Sequence, residues 1–407
     1  KSIIVVFDEF MLNTILRNLI SNAIKFSNSG SIISLTAIEQ NNSILLLVKD
    51  IENRKRIAKL VSPIRKLFVH GFPGLYGGAA TELHHQIVLW LEMGVEVNLI
   101  PSMDGWTNEP LYPEMLARGV KVHPANNFDA VRKGDPVFGF CSSEFLKRLP
   151  EIRLRTSRTV FANCMTWLFP MEKEAMAAGQ IAMFIYQNRD VLADQRAKLL
   201  SISPDSKASF CHFQPYFDNS LFPFISTRPS DYFGCGRVSR QDADKYAKAT
   251  LHIYEYFVAP VLKRGIFLGF DHRAMAKIGR PYSWIRAAKD HKECSQQEFY
   301  RHCEIVLQPM DTTENWPRVG LEAMSSGSVL IVDDRGGWRR MVDHGKTGWL
   351  CSNPREFIYR ASQMAFEPNM RADMAAAAKE RLSVLAGRMA SIETWANVFE
   401  EISRLPE

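Results

Sequence analysis

The sequence predicts an α/β protein: two doubly wound, Rossmann-like domains facing across a cleft, preceded by a small α+β fragment. Three observations carry this. From residue 65 onward, short apolar runs alternate with longer amphipathic ones, the strand–helix–strand order that builds parallel sheets. A polar stretch from Pro223 to Pro229 interrupts that series, and a fresh set of strands begins after it. Residues 1–53 follow a different plan, and a chain of 407 residues exceeds one ordinary domain.

The amino-terminal fragment opens with a helix expected over residues 9–26. Met11, Leu12, Ile15, Leu19 and Ile20 recur on one side at the helical period, and Ser27-Asn-Ser-Gly30 ends the pattern. Strands are expected at 31–38 and 43–48, and the charged stretch 51–60 marks the join. The domains are accordingly drawn as 1–53 for the fragment, 54–64 for a linker, 65–225 and 226–390 for the two large domains, and 391–407 for a terminal helical segment. The chain opens at Lys1, with neither Met nor a signal peptide, as a fragment or a fusion would.

In the first large domain, Lys66-Leu-Phe-Val-His70 reads as a strand, Gly71-Phe-Pro-Gly-Leu-Tyr-Gly-Gly78 as a glycine-rich loop, and 79–93 as its helix. Further strands are expected at 95–100, 137–140, 159–162, 182–185 and 208–212. In the second domain they are expected at 232–236, 265–270, 305–309 and 329–333. A final helix over 392–403 carries Trp395, Val398 and Phe399 on one side, and is expected to pack at the back of the cleft.

Composition excludes several classes. The chain is 46% apolar and 23% charged, and its net charge of +6 comes from dispersed rather than clustered basic residues, so no nucleic-acid partner is expected. Seven cysteines without a C-x-x-C pair fit a reducing compartment and neither a zinc site nor a disulfide framework. No apolar run reaches the about 18 residues of a membrane span. The expected location is cytoplasmic or peripheral to a membrane.

The candidate site centres on two carboxylates. Glu314 lies in a polar loop closed by Pro317, and Glu322 lies eight residues on, inside the following helix. The strands at 305–309 and 329–333 make this a βαβ unit whose loop opens at the carboxyl edge of the sheet, where doubly wound folds bind ligands. Two carboxylates there suit a ligand with many hydroxyls beside a phosphate on the helix N-terminus. Asp242-Ala-Asp244 has the spacing of a metal motif, but it falls where a helix is expected to begin, where carboxylates favour the N-terminus. No metal is expected.

Glu314-Asn-Trp-Pro-Arg-Val-Gly-Leu-Glu-Ala-Met-Ser-Ser-Gly327 resembles the paired-Glu signature, E-x7-E, of the retaining GT-B glycosyltransferases, and the resemblance extends from about residue 65 to the end. It implies that Glu322 binds the ribose of a nucleotide, that Glu314 approaches the donor sugar, and that the backbone between them, at Asn315, Arg318 and Val319, meets the diphosphate. Gly234-Cys-Gly-Arg-Val-Ser-Arg-Gln-Asp-Ala-Asp-Lys245 resembles the family's Gly-Arg…Lys segment, which implies that Arg237 and a second cation neutralise the diphosphate. The spacing is wider than the family's, which leaves Lys245 and Arg240 both as candidates. Gly336 and Gly337 match a Gly-Gly turn of the family, and Gly345-Lys-Thr-Gly-Trp-Leu350 matches its next element, a short turn and strand. Gly77 and Gly78 belong to a glycine loop that either approaches the donor or serves as a tight turn. The family's first-domain His is missing from 160–169, leaving Asn163, Thr166 and Trp167 as candidates for its place.

The resemblance thus implies a retaining, metal-independent transferase. It would move a sugar from a nucleotide-diphosphate sugar, such as a UDP- or GDP-sugar, to an acceptor hydroxyl, with no further cofactor. The acceptor, whether glycan, lipid or small molecule, stays open. In the amino-terminal fragment, Asn18-Leu-Ile-Ser-Asn-Ala-Ile-Lys-Phe-Ser27 resembles the N-box of histidine-kinase ATP-binding domains, where Asn22 would help hold Mg²⁺ and Lys25 lies nearby. Asp50 matches the Asp of the next motif, but both of that motif's glycines are absent. Two rival readings remain: an ATP-binding fusion protein related to such kinases, and a catalytically silent nucleotide-sugar-binding module.

Overall fold

The computed structural model describes residues 33–40, 43–50, 62–75 and 77–407. By its internal contacts the chain divides into two units, Lys1–Ser62 and Pro63–Glu407. In the first unit, β1 (Ile33–Gln40) and β2 (Ser43–Asp50) form an antiparallel hairpin with Ile33 opposite Asp50. Both expected strands are present, at 33–40 rather than 31–38 and at 43–50 rather than 43–48. The helix expected over 9–26, with Asn22 and Lys25, and the charged join at 51–60 lie outside the described residues.

The second unit holds two parallel sheets. In the first, β3 (Lys66–His70), β4 (Glu96–Ile100), β5 (Lys121–Val122), β6 (Val137–Phe140), β7 (Thr159–Ala162), β8 (Met183–Tyr186) and β9 (Ser209–His212) lie in the order β5-β4-β3-β6-β7-β8-β9. Helices α1 (Gly78–Glu92), α2 (Tyr112–Ala117), α3 (Ser143–Ile152), α4 (Pro170–Ala177) and α5 (Arg189–Ile202) connect them. In the second, β10 (Tyr232–Val238), β11 (Leu262–Leu268), β12 (Ile285–Ala288), β13 (Ile305–Gln308), β14 (Val329–Asp333) and β15 (Gly348–Cys351) lie in the order β12-β11-β10-β13-β14-β15. Their connecting helices are α6 (Thr250–Tyr256), α7 (His272–Ile278), α8 (Gln296–His302), α9 (Arg318–Ser326) and α10 (Trp338–Met341), and α11 (Pro354–Phe366), α12 (Pro368–Ala386) and α13 (Arg388–Ser403) follow.

Helices cover these sheets, so central strands read as unbroken apolar runs. Every residue of β6, β7, β8 and β13 is buried. Local chemistry sets several helix starts: Ser142, Asn188, Asp271, Ser295 and Asn353 each accept a backbone N–H from the first turn of α3, α5, α7, α8 and α11.

Two strands escape the sequence reading, β5 and β12. Both are edge strands, and β12 exposes Arg286 and Ala287, so neither carries a buried run. The strand expected at 265–270 occupies 262–268 instead. Gly269 turns the chain away at φ +87°, and a Cβ there would lie 1.8 Å from the Ser239 carbonyl oxygen. The helix expected to begin at Asp242 is one short 3₁₀ turn, Ala243–Lys245, with Asp242 accepting from the Asp244 N–H.

The last helix crosses back. α13 leaves the second domain through Gly387 and packs on the first: Trp395 meets Trp90 edge-on at 4.8 Å and donates from Nε1 to Gln86 Oε1 at 2.6 Å. Each such buried aromatic contributes about 1.5–3 kcal/mol through the area it removes from water.

Candidate functional site

β10 and β13 are neighbours, yet the chain leaves β10 toward β11 and β12 and leaves β13 toward β14 and β15. Connections that diverge this way open a crevice at the carboxyl ends of the two strands. Gln308, the last residue of β13, joins them. Its Oε1 accepts from Val238 N at 3.2 Å, and its Nε2 donates to Val238 O at 2.9 Å. Two loops rise from this point and meet. Lys245, from the loop after β10, lies with Nζ 2.7 Å from Glu314 Oε1, from the loop after β13, and both side chains are half-buried.

The Glu314 loop rests on the Gly336-Gly337 turn. Gly337 N donates to Glu314 O at 2.7 Å. A Cβ on Gly337 would lie 2.0 Å from Asn315 O, and one on Gly336 would lie 2.4 Å from Thr313 Cγ2. The glycine pair therefore supports the loop from beneath. Asn315 is buried, and neither its Nδ2 nor its Oδ1 has a partner among the described residues. Buried amides rarely stay unpaired, so this one suits a bound group.

Glu322 projects from α9 into a cavity of about 160 Å³ between the domains, bordered by Thr81, His84 and His85 of α1 and by Gln296 and Arg318 of the second domain. Glu322 Oε2 accepts from Tyr300 OH at 2.9 Å and from Gln296 Nε2 at 3.3 Å. Burial pushes its carboxyl above the usual range, and the Tyr300 hydroxyl opposes that. Arg318 is ion-paired through NH1 with Glu82 of α1, while its Nε and NH2 have no hydrogen-bond partner among the described residues. The backbone carbonyl of Asn315 accepts from Asn188 Nδ2 of the first domain at 3.0 Å, a second bridge across the cleft.

The predicted residues thus separate. Glu314, Lys245 and Asn315 share the crevice, and Glu322 and Arg318 share the interdomain cavity. Val319 contributes its carbonyl, which accepts from Tyr300 OH at 3.2 Å. Arg237 does not face the crevice. It is fully buried, with its guanidinium 3.5 Å over the Tyr246 ring and NH2 donating to Lys245 O at 2.5 Å. Arg240 is exposed and held by Asp242 at 2.9 Å. Gly77 caps α1 at φ +95°, and a Cβ on Gly77 or Gly78 would meet open space, so backbone there is approachable. Asn163 is spent internally: Nδ2 donates to Trp167 O at 3.1 Å and Glu172 Oε2 at 2.8 Å, and Oδ1 accepts from Met165 N at 2.8 Å. Thr166 accepts at its carbonyl from Gln195, and Trp167 stays 46% exposed at the lip.

Sequence reasoning missed Glu82, Asn188, Tyr300 and Gln308. Glu82 carried only a weak signal, an acid on the mixed helix face it shares with His85, Gln86, Leu89 and Trp90. For the other three, only the folded neighbours reveal the role. Among the described residues, no cluster of three His, Cys, Asp or Glu side chains is placed to hold a metal, and no helix is long and apolar enough to cross a membrane.

Residues 292–381 match the family described as Glycosyl transferases group 1. That span includes Glu314, Glu322 and the Gly336-Gly337 turn. No curated protein sequence matches. Among solved structures, the chain is similar to Anabaena HepE in complex with UDP and glucose, at 14% identity and TM-score 0.63 over 83% of this chain and 100% of that one. It is similar to TarM at 10% identity and TM-score 0.65, over 83% and 99%. It also resembles sucrose-phosphate synthase from Thermosynechococcus elongatus, at 10% identity and TM-score 0.60, over 83% and 99%. These likenesses place the two large domains in the GT-B fold.

Proposed function

We propose that residues 65–407 form a retaining, metal-independent glycosyltransferase that moves a sugar from a nucleotide-diphosphate sugar to an acceptor hydroxyl. The observation that carries this reading is the Lys245–Glu314 contact at the switch point of the second sheet, with Glu322 a helix turn beyond it in the interdomain cavity. The matched family segment supports the same reaction class. The Anabaena protein is bound to UDP and glucose in one structure and to UDP-glucose in another, which makes a uridine donor the first to try here.

In this reading the Lys245 ammonium and the Arg318 guanidinium neutralise the diphosphate, and the Asn315 amide completes its hydrogen bonds. A vicinal diol of the ribose donates to Glu322, and Glu314 orients the donor sugar. Arg237 acts as a positioning residue, gripping the Lys245 carbonyl from below. The departing diphosphate itself assists the acceptor's attack from the same face, so the protein supplies placement and charge rather than a nucleophile. The cavity at Glu322 is smaller than the about 300 Å³ that ligand sites commonly offer. Donor entry therefore requires the domains to part. A cytoplasmic location agrees with seven free cysteines.

The test is turnover of a panel of UDP-, GDP- and ADP-sugars, with the product anomer read by NMR. We expect release of nucleotide from at least one donor, retention at the anomeric carbon, and indifference to chelator. Nucleotide binding with no turnover of any donor would identify a silent binding module. An inverted anomer would overturn retention, and loss of activity on chelation would overturn metal independence.

A further inference from the structure

The first domain has its own switch point, between β3 and β6. Cys141 stands directly after β6 at that edge, and Cys164 stands two residues after the neighbouring β7. Phe140 pairs with Ala162, and Cys141 N donates to Ala162 O at 2.7 Å. Continuing that register sets Cys141 opposite Asn163, so Cys164 is the next residue along the adjacent strand's exit. Asn163 Oδ1 accepts from Met165 N at 2.8 Å, which bends the chain around Cys164 directly after β7. The two thiols are neighbours, and each acts more strongly on the other's ionisation than any other side chain does.

Two further features single out Cys141. Its backbone sits at φ 52°, the left-handed region that residues other than glycine rarely occupy and that gathers at functional sites. Of the seven cysteines, it alone has a thiol held below the ordinary value, by the Cys164 hydrogen bond acting against burial. Burial pushes the thiols of Cys211, Cys235, Cys294, Cys303 and Cys351 up instead. A thiol shifted toward its charged form beside a second cysteine is the arrangement of a redox-responsive pair.

We propose that Cys141 and Cys164 are a reversible dithiol–disulfide pair, oxidised by a peroxide at the cleft edge of the first domain. The Cys141 thiolate attacks the peroxide oxygen, the O–O bond breaks, and Cys141 becomes a sulfenic acid as the first water leaves. Cys164 then attacks the Cys141 sulfur, the S–S bond forms, and its proton departs with the hydroxyl as a second water. Two thiols lose two electrons and hydrogen peroxide gains them. Reduction by a dithiol reverses the bond. The bridge ties the loops after β6 and β7 at the lip that faces the second domain. This inference stands on thiol chemistry and does not depend on the transferase reading.

The test uses the full chain, reduced, exposed to hydrogen peroxide, then alkylated under denaturing conditions and digested. We expect one linked peptide pair joining Cys141 to Cys164, two hydrogens lighter than the free peptides and lost on dithiothreitol treatment, with the other five cysteines alkylated. In Cys164→Ser, Cys141 should instead be trapped as a sulfenic acid by dimedone. In Cys141→Ser, Cys164 should stay alkylated. Separate alkylated peptides for Cys141 and Cys164 after peroxide in the unmodified sequence would overturn the proposal, and so would linkage of either to another cysteine. That result needs no variant to fold.

Discussion

Glu82 of the first domain and Arg318 of the second form an ion pair across the cleft, their side chains 0% and 4% exposed. Burial pushes the Glu82 carboxyl up, while Arg318, Gln86 and Gln187 favour its charged form. Removing one partner leaves the other charge buried alone, which costs about 3–5 kcal/mol, whereas replacing both by apolar groups is close to neutral. Glu82→Gln should therefore lower the denaturation midpoint clearly, and Glu82→Met combined with Arg318→Met should recover most of it. Urea unfolding of the two variants checks this.

The Lys245–Glu314 pair is half-buried, so it contributes little to stability, about 1 kcal/mol or less. Its value on the proposed reading lies in charge placement. Lys245→Ala should reduce donor turnover about 10²–10³-fold, the usual loss for one preorganised electrostatic group. Its melting temperature should stay near that of the parent. A large drop in melting temperature with unchanged turnover would assign the pair a structural role only.

Gly337 lies so close to the Asn315 carbonyl that an added methyl must displace the Glu314 loop. Gly337→Ala should weaken donor binding at least about tenfold, since a shift of about 1 Å in a positioning element carries costs of that order or more. Isothermal titration with the donor nucleotide reads the loss directly.

Glu172 is buried against Asn163 and Phe169, and burial pushes its carboxyl up to about 7. The folded state therefore holds the Glu172 proton more tightly than the unfolded chain does. Its stabilising contribution is full below the ordinary carboxylate range and fades as pH rises through about 7, by about 3 kcal/mol in all. Melting curves from pH 5 to 8 should fall more steeply for the unmodified chain than for Glu172→Gln. Parallel curves would show that Glu172 is ionised throughout.

Trp395 is buried against Trp90, Phe213 and Phe399 and hydrogen-bonded to Gln86. Trp395→Ala should cost about 3–5 kcal/mol, as for other large core truncations. The loss should appear in the first domain, although the residue follows the second in sequence. Hydrogen exchange on α1 is the direct readout.

The sequence by itself determined the architecture of residues 65 onward. Strands such as Val137–Phe140 and Val329–Asp333 are buried on nearly every side, so their apolar runs are legible without partners. It also located the loop between β13 and α9, because a βαβ unit opens its loop at the carboxyl edge of the sheet. It could not tell which cation faces that loop. Arg237 is expected there, with Lys245 or Arg240 as the second charge. Only the tertiary structure buries Arg237 against Tyr246 and sets Lys245 beside Glu314. The contacts of Glu82 with Arg318, Asn188 with Asn315, and Cys141 with Cys164 were likewise decided by the fold alone. They join residues far apart in the chain, and periodicity reports only which face of an element is buried, not which partner it meets there.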